Sequence, residues 1–208
     1  MQDRAFWDEI YRQGATATPW IDAKRDYIIA QLIIRDTHVD SSMTVLDYGC
    51  ADGTICEYLL NRGIKVDFSD ISEIPVNRLK EKFGSKSKVF LANEPKEITG
   101  KYDIVVCCCV LHHVDKNKWP DFLNQFNNLL HKNGILWLAG FDRSDQNTSN
   151  NDGKFLTTTD TCKFIDEIIP MAEPCGFKVV SNYVEDIPNG HLDIHVTIRF
   201  ICLRKANQ

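Results

Sequence analysis

The stretch that decides the fold is VLDYGCADGT, which runs from Val45 to Thr54. It has the pattern of a strand end, a glycine-containing turn and a helix start. Gly49 and Gly53 let the backbone turn sharply and approach a ligand closely. Asp70 lies 21 positions after Gly49, at the end of the next predicted strand. An acid at about this spacing can bind both hydroxyls of a ribose, so the stretch predicts a nucleoside-binding site.

Around this stretch the chain alternates strands and helices. We predict strands at 44–47, 64–70, 89–92, 102–109, 135–139, 177–183 and 196–203, with helices at 54–61, 75–83, 119–131 and 161–175. Two helical pieces precede them within 3–30, separated by a break at 14–19. The alternation predicts an α/β, Rossmann-like doubly wound sheet of seven strands, mostly parallel with an antiparallel edge strand. We expect a single domain over 1–208, with a helical region at 1–40 and the core at 41–208.

Composition excludes several classes of protein. The chain has 208 residues, 43% of them hydrophobic, and a formal net charge of −5. The longest apolar run, Ile104 to Leu111, has the length of a buried strand and not of a membrane span. The first residues do not resemble a signal peptide. We therefore expect a cytoplasmic protein without membrane or nucleic-acid partners, since binding to nucleic acid depends on clustered Lys and Arg.

The eight cysteines allow two interpretations. An even number could form four disulfides. However, Cys107, Cys108 and Cys109 are consecutive in a predicted strand, where neighbouring side chains point to opposite faces, so they cannot all pair or share one metal. Free thiols in a reducing compartment fit better. Because no His, Cys and Asp cluster has metal-ligand spacing, we expect no metal, although Asp142 at a strand end keeps that possibility open.

The charges around the glycine turn favour a cationic ligand. A dinucleotide fold normally has the sequence GxGxxG, but here Gly49, Ala51 and Gly53 are each two positions apart. Asp47 and Asp52 flank the turn, and their carboxylates would repel a pyrophosphate. S-adenosylmethionine (SAM) carries an ammonium, a sulfonium and a ribose but no phosphate, so it suits this turn better. An oxidoreductase with a nucleotide cofactor remains the alternative enzyme.

Several segments together resemble class I SAM-dependent methyltransferases of the small-molecule type. They are LDYGCADG, the DIS after the second strand, YDIVVCCCVLHHV, LLHKNGILWLAGFD, GFKVV and HVTIRFICLRK, and they span Phe6 to Lys205. The resemblance implies an enzyme that moves a methyl group from SAM to an oxygen or nitrogen atom of a small metabolite, leaving S-adenosylhomocysteine (SAH). A catalytically silent adaptor with the same fold is the alternative outside enzymes. We expect a monomer or a homodimer.

The resemblance also implies roles for individual residues at the cofactor site. The aminoacyl end of SAM would lie on the backbone of Gly49, Cys50 and Ala51 near Asp47, the ribose on Asp70, the adenine against Ile71 and beside Asn93 or Glu94, and the methionine portion over Cys109 and Val110. Two positions depart from the family pattern. Ala51 replaces a usual glycine, which we expect a small residue to tolerate without loss. Asn93-Glu94 stands where an Asp is common.

For methyl transfer we select His112, which follows the fourth strand, as general base or substrate orienter. Its neighbour His113 would then point away, and a purely structural histidine is the alternative. Trp7 and Tyr11, with Trp20, resemble a lid that closes over SAM in many relatives; simple packing of the helix onto the sheet is equally open. The substrate pocket would draw on Arg143 and the polar loop to Asp152, with His191 and His195 within possible reach.

Overall fold

A computed structural model describes residues 3–14, 22–141, 164–189 and 194–206. Its strands form one seven-stranded sheet in the order β3-β2-β1-β4-β5-β7-β6. They are β1 (Thr44–Tyr48), β2 (Lys65–Asp70), β3 (Val89–Leu91), β4 (Tyr102–Cys108), β5 (Leu130–Phe141), β6 (Phe177–Asn189) and β7 (Ile194–Lys205). The first five strands run parallel, and β7 runs antiparallel to both β5 and β6. This confirms the predicted fold class, with β7 inserted between β5 and the edge strand β6.

Six α-helices flank the sheet within the described residues: α1 (Arg4–Arg12), α2 (Ala23–Thr37), α3 (Thr54–Leu60), α4 (Glu73–Phe83), α5 (Trp119–Leu129) and α6 (Phe164–Ala172). Helices α2 to α4 pack their apolar residues on one face of the sheet, and α5 and α6 pack on the other. Strand β4 serves both cores, because Ile104 and Val106 point to the first face and Val105 and Cys107 to the second. A strand covered on both faces is expected to be apolar, and β4 is apolar from Ile104 onward, whereas Asp103 near its start accepts hydrogen bonds from Thr44.

The strand order positions the site. The connection from β1 leads outward to β2, whereas the connection from β4 leads in the opposite direction to β5. The crevice between the carboxyl ends of β1 and β4 is thus the point where the winding direction changes, and ligands bind there in open α/β sheets. Gly53 fixes the turn after β1: its φ is +72°, and an added Cβ would lie 2.7 Å from Leu79 and 3.0 Å from Phe68.

The boundary between α5 and β5 differs from the prediction. We expected the helix to continue to His131, but it ends at Leu129, and Leu130 is already extended and paired with Tyr102 of β4. The ammonium of Lys205 donates to the carbonyls of Asn127 (2.7 Å) and Leu130 (3.1 Å), so a cation from β7 satisfies carbonyls at the helix end. A contact from so distant a part of the chain leaves no local trace in the sequence.

Helix α2 also departs from a simple division into an N-terminal region and a core. Ile29, Leu32 and Ile33 lie in the same buried cluster as residues of β1, β2 and β4. The single domain and the boundary at residue 40 remain predictions. In the portion of the chain that is described, no helix has both the length and the apolar character needed to span a membrane.

Candidate active site

The turn after β1 is tied to the end of β2 by backbone hydrogen bonds. The N–H groups of Gly49 and Cys50 both donate to the carbonyl of Ser69, at 2.8 and 3.0 Å. The next N–H, that of Ala51, donates to Asp70 Oδ2 at 3.0 Å. The other carboxylate oxygen of Asp70, Oδ1, accepts from the N–H of Ser72 at 2.9 Å. The N–H groups of these three successive turn residues are therefore engaged within the protein and are not available to a ligand.

Backbone conformation explains which residues this turn requires. Gly49 has φ +71°, and an added Cβ would lie 2.3 Å from Val110 Cγ2, in the loop after β4. The turn and that loop thus touch, as expected for two segments of one site. Ala51 also has a positive φ, +51°. This left-handed conformation costs a non-glycine residue on the order of 1–2 kcal/mol. Ala51 therefore carries a conformational cost, and its tolerance in the cofactor site stays a prediction.

Two buried carboxylates dominate the electrostatics of the site. Asp47 is 2% exposed, and in the described part of the chain its Oδ2 has no hydrogen-bond partner. Burial raises the pKa of Asp47 to about 7, opposed by a hydrogen bond with the Cys56 thiol and reinforced by the charge of Asp70. Burial likewise raises the pKa of Asp70 to about 6, although backbone N–H donors partly offset it. A cation placed here would stabilise both charged forms.

A buried ion pair on α2 was not predicted from the sequence. The guanidinium of Arg25 donates to Asp26 Oδ1 from Nε (3.2 Å) and Nη2 (2.9 Å), and the Thr54 hydroxyl donates to the other oxygen of Asp26. Both charged side chains are buried. Thr54 begins α3 immediately after the glycine turn, so the pair borders the site. Arg25 and Asp26 precede Ile29 and Ile33 on the buried face of the helix. Charged residues in line with an apolar helix face were the sequence signal that could have revealed this buried pair.

The two histidines after β4 lie at different depths. His112 is 1% exposed, whereas His113 is half-buried and contacts Trp7 edge-on, with ring centroids 4.8 Å apart. Burial lowers the pKa of His112 well below its usual range, and burial lowers that of His113 to about 4. Both rings are therefore neutral at neutral pH. The structure places His113 in contact with the N-terminal helix and buries His112 more deeply. The catalytic role of His112 stays a prediction.

Helix α1 lies over the residues predicted to bind the adenosine portion. Asp8 Oδ1 accepts from the Ser72 hydroxyl at 2.6 Å and from the N–H of Glu73 at 2.9 Å. Arg4 donates to the Ile71 carbonyl at 3.0 Å and to the Asn93 side-chain oxygen at 3.3 Å. On the same helix Trp7 contacts His113, and Tyr11 is buried. The segment predicted as a lid is therefore bound to the edge of the sheet where the ligand is expected.

The two candidates for the adenine contact differ in what they bind. The Glu94 carboxylate pairs with the Lys96 ammonium at 2.6 Å and accepts from the Gln125 amide at 3.3 Å. Hydrogen bonding with Lys96 lowers the pKa of Glu94. The Asn93 amide instead points to Arg4 of α1. Asn93 is thus linked through Arg4 to Ile71, the other residue predicted to contact the adenine.

Part of the predicted substrate pocket falls outside the described residues. The predicted residues that lie there are Asp142, Arg143, the loop to Asp152, Trp20 and His191. The side chain of His195 is also outside the described part. Within the described ranges, no group of three or more His, Cys, Asp or Glu side chains has the geometry to hold a metal ion. All seven cysteines in those ranges are free thiols.

Comparison with known proteins agrees with this geometry. Residues 21–182 match a protein-family model described as a methyltransferase domain. Magnesium protoporphyrin IX methyltransferase, chloroplastic, from Arabidopsis thaliana is 32% identical over 115 residues, which are 52% of this chain and 36% of that protein. The chain thus aligns with about a third of the length of the curated relative it matches.

Two solved structures are similar throughout the fold. One is 1,6-didemethyltoxoflavin-N1-methyltransferase from Burkholderia thailandensis, determined with 1,6-didemethyltoxoflavin and SAH bound: TM-score 0.68, 16% identity, 100% of this chain and 92% of that chain covered. The other is magnesium protoporphyrin IX methyltransferase from Synechocystis PCC 6803 with bound SAM: TM-score 0.64, 17% identity, 96% and 89% covered. At these identities the likeness establishes a shared fold.

Proposed function

The chain belongs to the family of methyltransferase domains, and from this premise we propose that it is an enzyme that transfers a methyl group from SAM to an oxygen or nitrogen atom of a small metabolite. When bound, SAM would supply an electrophilic methyl group: a bond would form from the acceptor oxygen or nitrogen to the methyl carbon, the carbon–sulfur bond would break, SAH would leave, and the acceptor's proton would pass to solvent or a base.

The observation that carries the proposal is the direction of the hydrogen bonds in the turn after β1. A turn that binds a pyrophosphate presents free N–H groups to it. Here the N–H groups of Gly49, Cys50 and Ala51 are all bonded to Ser69 and Asp70. These three N–H groups are therefore not available to a pyrophosphate, and Oδ2 of Asp47 before the turn, unpartnered among the described residues, favours a cation or a donor, such as the ammonium of SAM. This argues against the oxidoreductase alternative on the residues themselves.

The buried acids fit the same ligand. Asp47 Oδ2 is buried and has no hydrogen-bond partner within the described residues, which is costly unless a ligand satisfies it. Each oxygen of Asp70 already accepts one backbone N–H, and each keeps a further lone pair for a ribose hydroxyl. Asp70 would therefore hold the ribose in an orientation already fixed by the turn.

We assign Arg25 to the carboxylate of the amino-acid portion of SAM. Asp26 engages two of its donors, which leaves three of the five guanidinium N–H groups available. Because Asp26 also offsets the charge of Arg25, the guanidinium remains charged while it is buried, and it can pair with a carboxylate.

Positioning of the substrates accounts for more of the proposed catalysis than proton transfer. Burial lowers the pKa of His112 well below its usual range and that of His113 to about 4, so both are weak bases at neutral pH. Holding a nucleophile in line with the methyl group can contribute roughly 7–11 kcal/mol, against roughly 3–5 kcal/mol for a general base. His112 would therefore orient the acceptor, and replacement by Ala should lower turnover more than SAM affinity.

Location and assembly follow from the same considerations. We infer a cytoplasmic protein that acts as a monomer or homodimer without nucleic-acid partners. Free thiols at all seven described cysteines fit a reducing compartment. The formal net charge of −5 gives no electrostatic attraction to phosphate backbones.

Isothermal titration calorimetry with SAH tests the cofactor assignment. We expect micromolar binding by the wild-type protein and a loss of at least about tenfold in Asp70→Asn, because a charge-assisted hydrogen bond is replaced by a weaker one. Asp67→Asn is the matched control: Asp67 is on the same strand, but it accepts from Lys88 N–H and the Tyr102 hydroxyl away from the turn. No binding at millimolar SAH, or binding of NAD instead, would refute the proposal.

Transfer itself is tested with methyl-labelled SAM and a panel of small hydroxyl and amino compounds. Label in an acceptor supports the enzyme. SAH binding without transfer to any acceptor would favour the silent adaptor.

A further inference from the structure

Two adjacent cysteines at the end of β4 bring their thiols together. The Sγ atoms of Cys108 and Cys109 lie 3.9 Å apart, and both residues are half-buried. In a continuous strand these side chains would point to opposite faces. The strand ends at Cys108, however, and Cys109 adopts φ +57°, which turns its thiol toward that of Cys108. Two of the three consecutive cysteines therefore meet, which is compatible with the expectation that all three cannot pair or share one metal.

The backbone holds the two thiols in this arrangement. Cys108 is in register with Ala139 of β5, and the N–H of Cys109 donates to the Ala139 carbonyl at 2.8 Å. Both residues are thereby fixed to a central strand of the sheet, so a ligand that bridges the thiols meets a site already arranged for it.

The spacing favours a one-atom bridge over a disulfide. Consecutive Cα atoms lie about 3.8 Å apart, below the roughly 4.4–6.8 Å usual for disulfides, so a bond between adjacent cysteines is strained and easily reduced. Two bonds of about 2.3 Å, typical of a thiolate on a soft atom, span the observed Sγ distance at an angle of about 115°. The thiols can therefore bind one soft atom with little movement.

The surroundings favour the thiolate of Cys109 over the other described thiols. A hydrogen bond from Cys108 lowers the pKa of Cys109, whereas the same hydrogen bond together with burial raises the pKa of Cys108 well above its usual value. The positive charge of Arg25 favours both thiolates, and the negative charge of Asp26 opposes it. Burial raises the pKa of Cys56, Cys107 and Cys202. Thiolates are the species that react and bind soft atoms.

We propose that Cys108 and Cys109 form a dithiol site that binds one monosubstituted trivalent arsenical. The two thiols displace the oxygen bound to arsenic. Two S–As bonds form, the bonds between arsenic and oxygen break, and the oxygen leaves as water with both thiol protons. Arsenic stays trivalent, so no oxidant or reductant is needed. A compound with a single exchangeable position would make only one such bond and bind weakly.

Occupation of the dithiol should also block the cofactor. Cys109 is a proposed contact of the methionine portion of SAM, and Val110 beside it touches Gly49 of the turn. An arsenical on the pair would occupy that volume, so the arsenical and SAH should compete. This second statement rests on the proposed function, whereas the dithiol site does not.

Phenylarsine oxide is the probe, and intact-mass spectrometry of the native protein without SAM is the measurement. We expect one phenylarsenic adduct per chain, released by a dithiol but not by an equal concentration of a monothiol. Cys108→Ser and Cys109→Ser should each lose the adduct. Cys175→Ser is the control: Cys175 lies far along the chain between α6 and β6, and a serine can keep its hydrogen bond to the Pro120 carbonyl.

Circular dichroism of each variant establishes that it is folded, and peptide mapping of the wild-type adduct locates it independently of any variant. An adduct that maps to other cysteines, or that persists in either single variant, would overturn the dithiol site. Protection by SAH supports the competition. An adduct on Cys108 and Cys109 that SAH fails to slow, in protein that binds SAH, would overturn the competition while the dithiol site stands.

Discussion

At the scale of single residues, Asp47 shows how far the sequence predicts the site. Its place before a glycine turn indicated a carboxylate near a cationic ligand, and the structure adds that the group is buried with one oxygen unpartnered among the described residues. The direction of the hydrogen bonds from Gly49, Cys50 and Ala51 could not be predicted, because it depends on how the turn meets the end of β2. The kind of ligand that a residue could bind can be inferred from the local sequence. Which of its atoms already have a hydrogen-bond partner in the fold cannot.

Asp47→Asn should change the pH dependence of stability. Asp47 has a pKa of about 7 in the folded protein and about 4 when unfolded. Because the folded-state pKa is raised, this group's stabilising contribution is present below about pH 4 and is lost as pH rises through about 7. Relative to Asp47→Asn, the wild-type free energy of unfolding should therefore increase by a few kcal/mol between pH 8 and pH 4.

Urea unfolding of both proteins across this pH range measures the effect. Histidine titration has the opposite sign, but it is common to both proteins and cancels in the difference. A difference that does not vary with pH would show that Asp47 titrates normally. The variant should also bind SAH more weakly at pH 8, because the carboxylate charge is lost.

Gly49→Ala tests the contact between the turn and the loop after β4. The new Cβ would meet Val110 Cγ2 at 2.3 Å in a backbone with φ +71°. We expect a loss of about 2–4 kcal/mol in the free energy of unfolding, from the left-handed conformation and the overlap together. Gly63→Ala is the matched control, since Gly63 has φ +79° but nothing within 4 Å of the new Cβ.

The control should lose only the conformational part, about 1–2 kcal/mol. SAH affinity should fall in Gly49→Ala and stay unchanged in Gly63→Ala. Equal losses of stability in the two variants would mean that Val110 moves aside and that the contact is unimportant.

At the scale of elements, helix α1 marks the limit of local inference. Its helical pattern was predictable from a few neighbouring residues. Its aromatic side chains indicated either a lid or packing onto the sheet. Its attachment was not, because Asp8 binds Ser72 and Glu73, more than sixty positions away in the chain. The same reasoning applies to the end of α5, where Lys205 reaches back from β7. Helix existence depends on local spacing, whereas helix placement depends on side chains that meet only in the fold.

Asp8→Ala distinguishes a lid from simple packing. Loss of the carboxylate removes the hydrogen bonds to Ser72 and Glu73, so α1 should exchange its amide hydrogens faster. If α1 covers SAM, the affinity for SAH should also fall by about tenfold, the value of one or two such bonds. Calorimetry and hydrogen exchange of residues 4–12 provide the two measurements.

Glu9→Ala serves as the control, because Glu9 is exposed on the same helix and its side chain pairs with the neighbouring Arg12 and Gln13. It should leave SAH affinity unchanged. Faster exchange in Asp8→Ala with unchanged SAH affinity would support the packing alternative.

At the scale of the whole molecule, the alternation of strand and helix patterns along the chain predicted the doubly wound sheet, although β5 follows α5 with no turn between them. The order of the individual strands was not predicted; in the structure it follows the arrangement usual for parallel crossovers. The place of β7 between β5 and β6 depended instead on a hairpin in which β6 continues six residues beyond its predicted end at 183 and β7 begins two residues before its predicted start at 196. The sheet joins the two apolar clusters on its faces through β4, so unfolding of either should expose the other.

Calorimetric unfolding tests this coupling together with the ligand site. We expect a single transition, because α2 shares a core with the sheet that α5 and α6 cover from the other side.

At a SAH concentration of 100 Kd the ligand should stabilise the fold by about 2.7 kcal/mol. For a chain of about 200 residues this raises Tm by roughly 5–11 °C. Adenosine alone should raise Tm less, since it lacks the charged amino-acid portion that Asp47 and Arg25 would bind. Two transitions, of which SAH shifts only one, would show that the chain does not unfold as a single domain.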